Sequence, residues 1–373
     1  MSPLRYPFAR VASRAKASAR VVLIGGGALI ASACTSTQTR PVLDLHDQPI
    51  PGAVASLEPV TLGGVTQWIL IRGASERLPL LLKLHGGPGQ AEMATVGFNR
   101  ALEQDFLVVE WDGRGAGKSS DAIEPASAMT LNQIVADTRE LTELLLKRYH
   151  RSQLILVGHS WGSVVGMKVV QAAPQLYSAF VNTGQIANFP DGQRASHAWL
   201  LEEAERRGDT KARAELEALG PPPFVRPEDE DKRQTYGGYL EKFGAVWHAS
   251  APFERVTWML HAPEYAWSEK LTVSRAAGRS WERLLPFLAS TDLFTEVPSV
   301  EVPVYFAVGR FDWMAPTAVS RRYFEALRAP AKSWTWFEGS AHFPQWEEAK
   351  KFRELLVTVV APDSVRRRLG GKS

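Results

Sequence analysis

Short apolar runs recur along the chain, and most have no polar alternation. Leu78-Pro79-Leu80-Leu81-Leu82-Lys83-Leu84, Leu154-Ile155-Leu156-Val157, Ala179-Phe180-Val181-Asn182, Val302 to Val308 and Trp334-Thr335-Trp336-Phe337 are apolar apart from Lys83, Asn182 and Thr335. Strands of that kind are buried on both faces, as in a mostly parallel sheet covered by helices above and below. Between them lie stretches with helical spacing. Thr130, followed by Gln133, caps a helix whose Ile134, Leu141, Leu144 and Leu145 fall near one face. The alternation begins near residue 59 and predicts an α/β fold, with core segments 59–184 and 299–373. From 185 to 298 the pattern turns charged and helix-rich, as in Trp199 to Leu219, and is broken by Pro221-Pro222-Pro223. This insertion is expected to form a helical cap over the carboxyl ends of the strands. Its Trp199, Trp247, Trp258, Trp267, Trp281, Tyr236, Tyr239 and Tyr265 are expected mainly to pack the cap, with some lining an apolar pocket.

One strand runs into chemistry. After Leu154 to Val157 comes Gly158-His159-Ser160-Trp161-Gly162, then the helical Ser163 to Val170. A strand, a Gly-x-Ser-x-Gly turn and a helix make a nucleophile elbow, in which the glycines leave room for a sharp reversal and hold the hydroxyl clear of the sheet. Ser160 is the candidate nucleophile. His159 should point away across the turn and serve packing or orientation. A serine nucleophile needs a base and an acid. Asp312 follows the strand 302–308 through Gly309-Arg310-Phe311, and His342 follows 334–337 through Glu338-Gly339-Ser340-Ala341. The order Ser160, Asp312, His342 is that of α/β-hydrolases and differs from the chymotrypsin and subtilisin orders.

The strand at 78–84 runs into His85-Gly86-Gly87-Pro88-Gly89, where glycines let the backbone approach a developing oxyanion. The expected donors are the N–H groups of Trp161 and Gly87. Together with Glu110-Trp111-Asp112-Gly113-Arg114-Gly115-Ala116-Gly117-Lys118-Ser119 and the elbow, this loop resembles the prolyl iminopeptidase branch of the α/β-hydrolases. The resemblance covers most of 60–184 and 299–350. It implies the α/β-hydrolase fold, a Ser-Asp-His triad, a helical cap and removal of an N-terminal residue, often proline, from peptides. Family members commonly carry Gln where this chain has Gly113, and similar motifs occur in esterases. Prolyl-peptide members hold the substrate's amino group with acidic cap residues, which here would come from residues such as Glu254, Glu264 or Glu269. The substrate reading is therefore a small peptide, with a carboxylesterase acting on small acyl esters as the alternative. Ser160 in place of an Asp nucleophile argues against dehalogenase and epoxide-hydrolase chemistry. A surface-tethered binding protein is the competitor of another class, and an intact triad speaks against it.

Gly113 to Ser119 looks like a phosphate loop but has Asp112 where the first glycine is needed. No His-Glu-x-x-His or Cys-x-x-Cys supports zinc, and nothing points to a cofactor.

The first 20 residues carry Arg5, Arg10, Arg14, Lys16 and Arg20 with no acid, and Val21 to Ala33 is uncharged and largely apolar. That is the layout of a signal peptide, 1–33. Thirteen residues span about 20 Å as a helix, short of a bilayer core of roughly 30 Å. The single cysteine, Cys34, follows Ala31-Ser32-Ala33 and precedes the polar Thr35 to Thr39, as at the lipidation site of bacterial lipoproteins; the alternative is a plain secretory signal. Residues 34–58 read as a flexible leader. The chain is thus expected to leave the bacterial cytoplasm, lipid-anchored at Cys34 or free in the periplasm or medium. Removing 1–33 takes the formal net charge from +3 to −2, since five cations and no acid leave with it. No basic patch with interleaved aromatics suggests nucleic acid. With one cysteine there is no internal disulfide, so the core must carry stability.

Overall fold

The computed structural model describes residues 38–248 and 252–361, with side chains from Thr257 onward in the second segment. The signal segment 1–33, Cys34 and the Glu254 side chain lie outside these. β1 (Val54–Leu62) and β2 (Val65–Gly73) form an antiparallel hairpin turning on Gly63-Gly64, whose φ values of 54° and 75° suit glycine. β1 starts inside the stretch read as leader. It is an edge strand, half exposed and carrying Pro59, so it lacks the all-apolar signature of the central strands. β3 (Leu80–Leu84), β4 (Leu107–Asp112), β5 (Leu154–His159), β6 (Tyr177–Thr183), β7 (Val304–Gly309) and β8 (Lys332–Phe337) complete a sheet of order β1-β2-β4-β3-β5-β6-β7-β8. β2 pairs β4 antiparallel, and every pairing from β4 to β8 is parallel.

Because β3 lies between β4 and β5, the chain reverses its direction of winding there. The loops after β3 and β5 therefore open into a shared crevice at the carboxyl edge, where ligands bind in open α/β sheets. α1 (Leu131–Arg148) precedes β5, and the Thr130 side chain accepts the Gln133 N–H at its start. Its Ile134, Leu141 and Leu145 are buried, as their spacing requires. α2 (Trp161–Ala172) follows β5. Successive strand residues feed opposite cores: Leu82, Val109, Leu156 and Phe180 pack on the α1–α2 side, while Leu81, Val108, Ile155 and Val181 pack with Phe352 and Leu356.

Between β6 and β7 come α3 (Phe189–Arg206), α4 (Thr210–Leu219), α5 (Glu230–Lys242), α6 (Pro252–His261), α7 (Trp267–Ala289) and the short α8 (Leu293–Glu296). α9 (Thr317–Ala326), α10 (Pro344–Glu347) and α11 (Ala349–Leu355) accompany the last strands. The inserted helices have their own core of Leu200, Leu216, Phe224, Tyr236, Tyr239, Leu240, Phe243 and Trp247, which also takes in Phe343 and Trp346 from the loop beyond β8. That core therefore reaches the residue after His342.

Candidate active site

The elbow is enforced by backbone contacts. A Cβ on Gly158 would lie 2.4 Å from the Gly162 carbonyl oxygen, and one on Gly162 would lie 2.4 Å from the carbonyl oxygen of Leu84. Any side chain at either position would wedge β5 from α2, or α2 from β3. Between them Ser160 adopts φ 52° and ψ −114°, a conformation that costs a non-glycine residue of order 1–3 kcal/mol. The turn is held by the Ser160 N–H, which donates to Thr183 O at 2.9 Å, and by the Ser163 hydroxyl, which donates to Ser160 O at 2.6 Å. Trp161 is the first residue of α2, so its N–H is one of the donors that a helix leaves unpaired at its start.

β7 and β8 deliver the acid and base together. Phe311 N–H donates to Ser340 O at 3.0 Å, and Gly309 faces Ala341 O so closely that a Cβ would lie 1.8 Å away. His342 Nδ1 donates to Asp312 Oδ2 at 3.0 Å, and Asp312 Oδ1 accepts the Ala315 N–H at 2.8 Å. With the proton on Nδ1, Nε2 carries the lone pair a general base needs. Both side chains are buried. The ring arrives beside the elbow across Gly184, where a Cβ would come within 2.5 Å of His342 Cε1. Gly184 directly follows Thr183, the acceptor of the Ser160 N–H. Among the described residues no hydrogen bond joins the Ser160 hydroxyl to the imidazole, a contact that in unliganded enzymes is often long until substrate binds. His159 packs beside the base: Nδ1 meets Thr183 Oγ1 at 3.0 Å, and its ring centre is 4.8 Å from that of His342. Burial, with His342 adding, holds its pKa well below the usual histidine range, so it stays neutral beside the base.

The loop after β3 is braced by a residue without a motif. Glu92, buried, accepts the Gly86 N–H at 2.8 Å. The Gly86 carbonyl accepts from His85 Nδ1 at 2.7 Å, which places the His85 proton, and from the Gln90 N–H. Gly87, at φ 107°, is left with an N–H that has no partner among the described residues. Burial raises the Glu92 pKa against the pull of Lys83. Lys83 itself is paired with Glu110 at 2.5 Å beneath the loop. Asp112 ends β4; burial pushes it up to about 7, although it accepts the Lys118 N–H and the Tyr265 hydroxyl, each at 2.8 Å.

The phosphate-loop lookalike has another use. The fully buried Lys118 side chain donates to both Glu269 oxygens and to Glu264 O at 3.0 Å, and lies 4.6 Å over the Trp68 ring. It ties the core to the cap. Glu269, one acid considered for the substrate's amino group, is thus occupied, and it also accepts the Ala266 N–H. Glu264 accepts Thr39 Oγ1 at 2.7 Å. Neither is a hydrogen-bond partner of Ser160, Asp312 or His342. Glu92 and Gly184 lie outside the motifs, and only a glycine directly after a strand could have marked Gly184 from sequence; Lys118 lies inside the Glu110 to Ser119 stretch, but nothing there tells its role.

Residues 79–349 match the family model described as the alpha/beta hydrolase fold, and the chain belongs to that family of hydrolase enzymes. Within it, the chain is 31% identical over 309 residues to a Bacillus subtilis protein named probable aminopeptidase YbaC, covering 83% of this chain and 97% of that one. It is 22% identical to a proline iminopeptidase of Saccharolobus solfataricus, over 74% of this chain and 83% of the relative. Among solved structures, a proline iminopeptidase-related protein of Thermus thermophilus superposes with a TM-score of 0.58 at 21% identity, covering 83% of this chain and 99% of that one. An esterase of Exiguobacterium antarcticum superposes at 0.54 and 19%, over 81% and 98%. These likenesses bear on the fold.

Proposed function

We propose that the chain is a serine hydrolase that removes an N-terminal residue from small peptides through an acyl-enzyme, as an aminopeptidase of the prolyl iminopeptidase type. The observation that carries the chemistry is the buried Asp312–His342 pair delivered beside a serine held at φ 52°. His342 Nε2 takes the Ser160 proton as the hydroxyl adds to the carbonyl carbon. The resulting oxyanion is met by the N–H groups of Gly87 and Trp161, each worth roughly 10² to 10³ in rate. His342 returns its proton to the leaving amine, and water, activated by the same imidazole, then frees the acid and regenerates Ser160. Asp312 orients the ring and balances the imidazolium. The neutral His159 spares that imidazolium a like charge at close range. The names of the relatives favour a peptide over an ester.

The test compares proline and alanine arylamides with short p-nitrophenyl esters. Arylamide cleavage that disappears in Ser160→Ala is expected. Ester turnover without arylamide cleavage would retire the peptidase and leave a carboxylesterase. Failure of a fluorophosphonate to label folded protein would remove the serine nucleophile altogether.

The reading extends to location: export directed by 1–33 and lipid attachment at Cys34. Among the described residues no helix is long and apolar enough to cross a membrane. Cys34→Ala is expected to abolish lipid incorporation; an unchanged membrane fraction would count against the anchor.

A further inference from the structure

The corner of the cap between α6 and α7 presents large apolar side chains to solvent. Leu271 is 83% exposed, Trp267 66% and Leu260 44%. Trp267 and Leu271 are four residues apart on α7 and share a face. Lys270 joins Leu260 to them: its ammonium donates to Leu260 O at 2.9 Å and lies 4.9 Å over the Trp267 ring. This is one patch. Among the described residues, Lys270 and Arg40 lie at the patch and the exposed Arg275 follows one turn beyond Leu271, while Glu269 is turned inward onto Lys118 and Glu264 is buried.

The leader enters the described structure at the same corner. Thr39 donates to the Glu264 carboxylate at 2.7 Å, and Arg40 donates to His261 O at 3.0 Å. From the core side, Arg72 donates to Thr39 Oγ1 at 2.8 Å while paired with Glu103. Cys34 lies five residues upstream, within about 18 Å of Thr39 even fully extended. Trp267 follows Glu264 by three residues, and Trp267 to Leu271 spans about 6 Å at helical rise. A lipid on Cys34 would therefore hold the bilayer surface within reach of this corner.

We propose that Leu260, Trp267 and Leu271, with Lys270, form a bilayer-docking face that sits at the headgroup level of a phospholipid membrane. Indole rings favour that depth, and lysine reaches from it to anionic headgroups while its stem stays on apolar surface. The orientation rests on the anchor reading for Cys34; the exposed face stands apart from it. A chain held this way keeps one corner of its cap against the membrane.

Because the chain has a single native cysteine, Leu271→Cys can carry a polarity-sensitive fluorophore, with Val359→Cys, exposed in the helical turn that follows α11, as reference. The full-length chain, processed in a bacterium and purified, is reconstituted into phosphatidylethanolamine–phosphatidylglycerol vesicles. The label at 271 is expected to shift to the blue and to be quenched at least fivefold more by nitroxide-bearing lipids than the label at 359. Equal, water-like emission at both positions on vesicle-bound chain overturns the docking face. Shielding at 271 before lipid is added, lost on dilution, assigns the patch to a second copy and also overturns it. Failure of the anchor reads differently: Cys34 itself then reacts with the dye. In that event the label is placed in a Cys34→Ser background and vesicles are added from outside. A shift at 271 then upholds the face without the anchor, and its absence rejects it.

Discussion

Gly162→Ala tests whether the elbow and the oxyanion loop share one contact. A Cβ there would meet Leu84 O at 2.4 Å and His85 O at 2.8 Å, both backbone atoms that cannot rotate away. Ordinary contact begins near 3.4 Å, so the start of α2 and the end of β3 must part by about an ångström. These are the segments carrying the Trp161 and Gly87 donors. A misplacement of that size costs about 10²-fold in rate, and complete loss of one donor about 10² to 10³. The strain itself should lower stability by roughly 1–3 kcal/mol. The assay is kcat and KM on the better substrate, alongside thermal melting and the rate of fluorophosphonate labelling. Falls of about 10² in kcat and in labelling are expected, with KM changed only a few-fold. Gly238→Ala is the control: it lies in α5 with open space around it and should be neutral or stabilising by up to about 1 kcal/mol. Gly162→Ala with near-normal kcat would refute the shared contact. A lowered melting temperature with kcat intact would make the glycine purely structural.

Two buried carboxyls give further tests. Asp112, pushed up to about 7, keeps its proton in the folded chain after the unfolded chain has lost it near pH 4, so the folded state binds the extra proton. Its contribution is complete below pH 4 and is lost as pH rises through 7, a change of about 4 kcal/mol. Asp112→Asn should flatten this part of the pH dependence in chemical denaturation, and an unaltered slope would refute the assignment. Glu92→Gln keeps an acceptor for the Gly86 N–H and should hold kcat within a few-fold. Glu92→Leu leaves that N–H unpaired, at about 1–3 kcal/mol, and should cut kcat at least tenfold; equal activity in both would show that the loop does not depend on this bond.

The central strands and the triad elements could be read because their demands are local. A strand buried on both faces is apolar except where a buried partner compensates, as Glu110 does for Lys83, and an elbow needs glycine on either side of its serine, so Leu154 to Gly162 announces itself. What remained hidden depends on the partner chosen in three dimensions. β1 is an edge strand with a half-polar face and a proline, which reads equally well as leader. Glu92 and Lys118 are charged residues whose burial is decided by tertiary partners: the Gly86 N–H of the loop after β3 for Glu92, and Glu269 and Trp68, far along the chain, for Lys118. The aromatic residues of the insertion divided as burial dictates: Trp247, Tyr236 and Tyr239 entered the cap core, whereas Trp267 remained outside.

The cap and the catalytic loops are not separable parts. His342 N–H donates to Val246 O at 3.1 Å, Trp313 N–H donates to Ala245 O at 3.3 Å, and Ser196 donates to Trp313 O at 2.6 Å. Trp247, Phe343 and Trp346 stack with centroids 4.3 to 5.8 Å apart, continuing the same contact through side chains. The base itself and the neighbour of the acid are thus hydrogen-bonded to the stretch 245–246, so any rearrangement there would move the imidazole and carboxylate together. α7, by contrast, reaches the core through side-chain contacts at Lys118, Gly115 and Ile123. Trp258 of α6 also joins that stack, 5.6 Å from Trp247 and 6.4 Å from Trp346, so a rearrangement of residues 245–247 would reach the acid–base pair directly and α6 through this ring.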